Sequence, residues 1–190
     1  PGQAVVLDPE ALEVNRLQAL WTHGGLTATL GRQRIILNNA RFVGNVGFRQ
    51  NEQTFDALRL AYRANENMSF NYIYLDRVRR ILGDDSPNGE WRSDSHIGQI
   101  DWKTGVGDFS GFALLLDFDN AATQSNQTYG VRWTRALAAD PYRFTLGAEA
   151  ATQSDYGASP TSFDLNYYTA NAGLQRGQWR IGVGAEILEG

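Results

Sequence analysis

Tyr142-Arg143-Phe144-Thr145-Leu146-Gly147-Ala148-Glu149-Ala150 decides the fold class. Successive side chains of an extended chain point to opposite sides, so Tyr142, Phe144, Leu146, Ala148 and Ala150 share one face. Arg143, Thr145, Gly147 and Glu149 share the other. Trp179-Arg180-Ile181-Gly182-Val183-Gly184-Ala185-Glu186-Ile187 repeats the pattern. A period of two recurs along the chain and never gives way to a helical period. Each segment thus has one apolar face and one face that carries charge.

Working outward, the spacing predicts five hairpins. Glu13–Thr22 and Leu26–Leu37 meet at His23-Gly24-Gly25, where glycines supply the positive φ of a tight turn. Thr54–Ala64 and Met68–Ile81 meet at Asn65-Glu66-Asn67, and Ser95–Thr104 and Phe109–Phe118 at Gly105-Val106-Gly107-Asp108. Thr128–Leu137 and Tyr142–Thr152 meet at Ala138-Ala139-Asp140-Pro141, and Phe163–Leu174 and Gln178–Leu188 at Gln175-Arg176-Gly177. The connections between hairpins, Asn38–Gln53, Gly83–Asp94, Asp119–Gln127 and Gln153–Ser162, are long and polar. Short turns on one side and long loops on the other predict an all-β, antiparallel transmembrane β-barrel of about ten strands in this chain. A soluble sheet that buries the same aromatics in a core is the alternative reading.

The composition agrees. The chain has 190 residues, 42% hydrophobic and 20% charged, which is neither disordered nor helical-membrane in character. The longest apolar run, Phe112-Ala113-Leu114-Leu115-Leu116, is far short of the roughly 20 residues a spanning helix needs. No cysteine is present, so disulfides and thiolate metal sites are excluded. A net charge of -4 with no basic block argues against nucleic acid. No initiator Met or apolar leader opens the sequence, and Ile187-Leu188-Glu189-Gly190 ends it on a strand-like stretch without a terminal aromatic. The expectation is a single barrel segment over residues 1–190, cut from a longer barrel, with no separate soluble domain.

Alternation assigns a lipid side to Leu17, Ala19 and Trp21; Leu58, Leu60 and Tyr62; Phe112, Leu114, Leu116 and Phe118; Tyr129, Val131 and Trp133. Tyr142, Phe144 and Leu146, then Tyr168, Ala170 and Leu174, then Trp179, Ile181 and Val183 continue it. Trp21, Tyr62, Trp102, Trp133, Tyr142 and Trp179 sit near short turns, as an aromatic girdle at a membrane interface requires. The lumen side receives Arg16, Gln18, Arg59, Arg63, Gln99, Asp101, Lys103, Arg132, Thr134, Arg143, Glu149, Asn171, Arg180 and Glu186. Two strands stay ambiguous. In Leu26–Leu37, alternation turns Arg32 and Arg34 outward, so either Gly31 begins a bulge or these arginines lie beyond the hydrocarbon. In Met68–Ile81 one extra turn residue would exchange the faces.

The stretch Gly31-Arg32-Gln33-Arg34, then Asn38 to Gly44, then Phe48-Arg49-Gln50-Asn51-Glu52-Gln53-Thr54-Phe55-Asp56-Ala57-Leu58-Arg59-Leu60, resembles the alginate-export family of outer-membrane barrels. Tyr74-Leu75-Asp76-Arg77-Val78, Asp84-Asp85-Ser86-Pro87, Ser93-Asp94-Ser95-His96 and Glu186-Ile187-Leu188-Glu189-Gly190 are similar to later parts of that family. The resemblance implies a larger, monomeric barrel in the Gram-negative outer membrane. It also implies passive passage of an anionic polysaccharide or a smaller uronate-like solute, among outer-membrane lipid and lipopolysaccharide.

The candidate solute-binding residues are the lumen cations Arg16, Arg59, Arg63, Lys103, Arg132, Arg143 and Arg180. Guanidinium forks bind carboxylates bidentately and stay charged, so a series of them offers an anion weak successive sites. Pairing with neighbouring acids to hold the wall together is the competing explanation. Arg32 and Arg34, within Gly31–Arg34, form a second basic group with Arg41 and Arg49 at the outer end of one hairpin. The loop Asn38–Gln53 could fold inward and set Arg41 or Arg49 over the pore, or these arginines could pair with lipopolysaccharide phosphates. Asp76, Asp84, Asp85, Glu90 and Asp94 cluster beside Arg77, Arg79 and Arg80, a mixture that suits an ion-pair network better than Ca²⁺. His96 follows Ser95, but neighbours on a strand face opposite ways, so the two cannot form a nucleophile–base pair. No catalytic residue, metal site or cofactor motif is assigned. The expected function is an anion-passing outer-membrane channel, against a plugged structural or adhesion barrel, or a soluble carbohydrate-binding sandwich.

Overall fold

The computed structural model describes residues 13–48 and 51–190. They form β1 (Leu17–His23), β2 (Leu26–Gln33), β3 (Thr54–Arg63), β4 (Met68–Arg79), β5 (Glu90–Thr104) and β6 (Gly107–Leu116). A short 3-10 turn, Ala122–Gln124, precedes β7 (Asn126–Ala139), β8 (Tyr142–Asp155), β9 (Asp164–Arg176) and β10 (Trp179–Leu188). All ten belong to one sheet in chain order, each antiparallel to its neighbour. At the short turns the strand ends differ from the sequence reading by at most two residues, β6 starting at Gly107, β7 ending at Ala139 and β9 at Arg176; at the long-loop side they differ more. β2 stops at Gln33 rather than Leu37, and β5 starts at Glu90 rather than Ser95.

The register carries barrel geometry. Between the β1–β2 turn and the β9–β10 turn, the short turns step along the ladder by about eight residues over nine strand pairs. At ~3.3 Å per residue and ~4.8 Å between strands, that stagger is a strand tilt of about 30°. A flat sheet has no cause for such a slant; a sheet wrapping around an axis does.

Following partners from strand to strand gives one outer face. His23, Leu26, Tyr62 and Phe70 share it, as do Trp102, Phe109 and Trp133, and Tyr142 with Trp179 through Arg176. Trp21 lies two residues up the same face of β1. Every aromatic expected in the girdle therefore points outward near a short turn. Ile181 and Val183, at 72% and 74% exposure, and Leu30 and Val131 stand uncovered above it. A soluble sandwich would not leave so continuous an apolar surface bare. Arg32, Asp56, Tyr74, His96, Tyr129, Thr152 and Tyr168 bound this surface on the far side. They lie about seven to eight residues above the short turns, ~20–25 Å along the tilted axis, near the ~25 Å band of outer-membrane barrels.

Both ambiguous strands resolve within this frame. β2 keeps its register through Gly31, with Leu30 opposite Leu58 and Arg32 opposite Asp56. No bulge flips it, so Arg32 faces outward above the apolar band. Gly31 has φ +114, and a Cβ there would strike the Leu17 carbonyl. On β4 the outward residues are Phe70, Tyr72 and Tyr74, and a bulge at Asp76 separates Leu75 from Arg77.

One face assignment is corrected. Phe112, Leu114 and Leu116 face inward, because Gln99 pairs with Phe112 and Ile97 with Leu114 on the same side as the Asp101–Ser110 pair. Phe118 points inward too, with Ser93 opposite it, and is 4% exposed. The run Phe112–Leu116 is apolar on both faces, so its alternation has no sign. Phe112, Leu114 and Phe118 are buried with Ile35, Leu37, Val43, Phe55, Ile73, Leu75 and Ile97 in an apolar cluster on the concave side, and Leu116 packs against it half-buried.

Candidate functional site

That cluster exists because the connection between β2 and β3 folds into the concavity. Ile35 and Leu37 leave β2 buried at 1% and 7% exposure. The chain then turns through left-handed conformations at Asn38 (φ 51), Ala40 (φ 62) and Val46 (φ 50), unusual for residues other than glycine. Leu37 N donates to Val43 O at 3.1 Å, and Gln53 N to Asn45 O at 2.7 Å, fixing the loop's base. Outside the span, Glu52 receives Arg34 Nε and Nη2 at 2.7 and 2.6 Å and Asn45 Nδ2 at 2.7 Å. The Arg34 hydrogen bonds hold the Glu52 carboxyl below its ordinary range, against the opposing effect of burial.

The loop reaches strands far along the sheet. The Phe42 ring packs 5.2 Å from Phe112 on β6 and edge-on, 5.6 Å, to Tyr167 on β9. Arg41 places its guanidinium 5.0 Å from the Tyr167 ring centre and 3.4 Å from Glu186 Oε1 on β10. Asn39 Nδ2 donates to Glu149 Oε2 on β8 at 3.3 Å. A loop rooted between β2 and β3 can touch β6, β8, β9 and β10 only if the sheet curls around it. It narrows the interior from one side.

On the inner wall one rung runs Arg63, Ser69, Asp101, Ser110, Arg132, Glu149, Thr169, Glu186 from β3 to β10. Asp101 accepts from Gln99 Nε2 at 2.8 Å and from the Ser110 and Ser69 hydroxyls. Arg132 Nη1 donates to Glu149 Oε2 at 2.7 Å. The Glu149 side chain is fully enclosed, and its Oε1 has no partner among the described residues. This alternation of polar partners leaves no mark on the sequence, since it depends on register.

Arg59, Arg63, Lys103, Arg132, Arg143 and Arg180, all expected in the lumen, lie on the inner face, and Arg16 is exposed just before β1. Arg59 donates twice to Asn71 Oδ1, at 3.2 and 2.8 Å, and Arg180 to Gln175 Oε1 at 3.2 Å. Arg41 enters the interior with the loop. Arg32 does not: it lies on the outer face in a bidentate pair with Asp56, at 2.9 and 3.3 Å. Arg49 lies outside the described residues. The acidic group near the β4–β5 connection forms a mixed network in which Arg79 contacts Asp56, Asp84 and Glu90, and Arg77 contacts Glu90. His96 faces outward with Nδ1 2.8 Å from the Tyr72 hydroxyl, whereas Ser95 points inward against Ser93.

The tilt, the outward apolar band between aromatic rows and the polar inner wall define the sheet of an outer-membrane β-barrel. Solved structures give the likeness in particulars. OccAB4 of Acinetobacter baumannii superposes with a TM-score of 0.76 at 10% identity, over 90% of this chain and 44% of that one. OccK2 (OpdF) of Pseudomonas aeruginosa, solved with glucuronate, gives 0.77 at 10% identity over 91% and 47%. OpdK of the same organism, solved with vanillate, gives 0.75 at 12% over 89% and 46%. The chain thus spans just under half the length of these barrels. No family model and no curated protein matches the sequence. At such identities the likeness is one of fold.

Proposed function

We propose that the ten strands are part of a closed barrel in the Gram-negative outer membrane that passes small anionic, sugar-derived solutes by diffusion. The observation that carries the reading is the inner face itself. It bears Arg59, Arg63, Lys103, Arg132, Arg143 and Arg180, and is narrowed by a loop that adds Arg41. In a low-dielectric wall such fixed charge concentrates counter-ions, and the interspersed Asp101, Glu149 and Glu186 keep any one site from becoming a trap. The fold neighbours solved with glucuronate and vanillate support a carboxylate-bearing solute. The resemblance to alginate-export barrels extends the reading to a polyuronate chain, and the remaining strands come from beyond β1 and β10. The role is transport, with no chemistry on the solute.

Single-channel recording of the complete barrel in planar bilayers tests this. Discrete conductance steps that glucuronate interrupts are expected. A folded barrel that passes no current is instead a plugged structural barrel.

A further inference from the structure

We propose that anion preference is set by the arginines on the inner face of β3, Arg59 and Arg63, and not by the ion-paired cations at the constriction made by the loop. This rests on the channel reading above and assigns its specificity to particular residues. Among the described residues, the cations at the constriction are matched by acids: Arg41 lies 3.4 Å from Glu186, and Arg132 lies 2.7 Å from the enclosed Glu149. Matched charges leave a passing ion little net field.

Arg59 and Arg63 differ from these paired cations and, unlike Lys103, Arg143 and Arg180, which also form no ion pair among the described residues, they share one recess. They lie four residues apart on β3 and therefore share its inner face. Both line one 390 Å³ recess, together with Thr27, Ser69 and Asn71. The partner of Arg59 is the neutral Asn71 amide oxygen, which orients the guanidinium without cancelling its charge. Among the described residues, neither arginine has a carboxylate within ion-pair distance. The nearest acid on the rung of Arg63 is Asp101, two strands away, already engaged by Gln99, Ser110 and Ser69. Two uncompensated guanidiniums beside hydroxyls and an amide suit a carboxylate that carries neighbouring hydroxyl groups, as in a sugar acid.

The test compares permeability ratios of the complete barrel under a KCl gradient, with glucuronate block as a second readout. Replacing both side chains (R59Q/R63Q) is expected to lower the anion-to-cation ratio at least about fivefold and to weaken glucuronate block similarly. R135Q removes a cation from the outer face and moves neither. The charge-neutral pair R41Q/E186Q alters conductance while keeping the ratio. Should the double variant not fold, R63Q alone alters an exposed side chain that forms no ion pair among the described residues, and about a twofold fall is expected. A conducting R59Q/R63Q or R63Q barrel with the wild-type ratio overturns the assignment, as does R41Q/E186Q lowering the ratio equally. Failure of the wild-type barrel to conduct strikes the channel reading itself, a separate outcome.

Discussion

A depth series of arginine substitutions along β8 probes the membrane geometry quantitatively. Phe144, Leu146, Ala148 and Ala150 all face outward, opposite Leu174, Ala172, Ala170 and Tyr168. With strands tilted about 30°, each step of two residues climbs ~6 Å along the axis. Phe144 then lies near the level of the short turns, Leu146 about 6 Å above it, Ala148 about 12 Å and Ala150 about 18 Å. The apolar band is ~20–25 Å tall, so Ala148 is the residue closest to its middle. An outward Arg costs about 2–4 kcal/mol at the midplane and about 0–1 kcal/mol near an interface. The destabilisation should rise from Phe144 to a maximum at Ala148 and fall again at Ala150. Thr145→Arg, on the inner face between Phe144 and Leu146, should stay near zero. The assay is equilibrium urea refolding of the complete barrel into lipid vesicles. Phe144→Arg also loses a ring contact, so its value is compared with Phe144→Ala. A flat profile, or a maximum at Phe144, would refute the tilt, the band height or both.

Three further outcomes are expected. Phe42→Ala removes two aromatic contacts worth about 0.5–1.5 kcal/mol each, so undocked loops should become roughly 5- to 150-fold more populated. A reporter Cys at Val43 should then react faster with a hydrophilic maleimide by that factor, and an unchanged rate would mean that the ring does not seat the loop. Because the folded Glu52 carboxyl titrates below its ordinary value, its contribution is complete above the unfolded pKa, about 4.3, and is lost as pH falls through the folded one. Proteolysis within Asn38–Gln53 should therefore accelerate only below about pH 4, and Glu52→Gln should abolish that dependence. Finally, an impermeant thiol reagent on intact cells should label a Cys at Asn88 and spare one at Glu66; the opposite pattern would invert the barrel.

Clean alternation makes the faces of β8 and β10 readable from their residues alone. The Phe112–Leu116 run carries apolar side chains on both faces, and only its register against Gln99 and Asp101 settles which of them point inward. Arg32 poses a choice between bulge and depth in the sequence, and Asp56, its partner across the ladder, decides for depth. The Phe42 ring seats on Phe112 and Tyr167, which lie on strands too distant along the chain to infer. The pairing of Arg132 with Glu149 is likewise a matter of register, which no local pattern encodes.

The reach of the loop has a consequence for assembly. Asn39 and Glu149 are separated by 110 positions along the chain, so their contact forms only when the wall between them already exists. Loop closure over such separations is slow and depends on everything in between being in register. A strand slipped by one residue would turn Glu149 or Tyr167 away and leave Phe42 without a seat. Docking of the loop thus acts as a checkpoint on curvature and registration. The solvent protection of Val43 becomes a clock for the last stage of folding, readable while every strand is already paired.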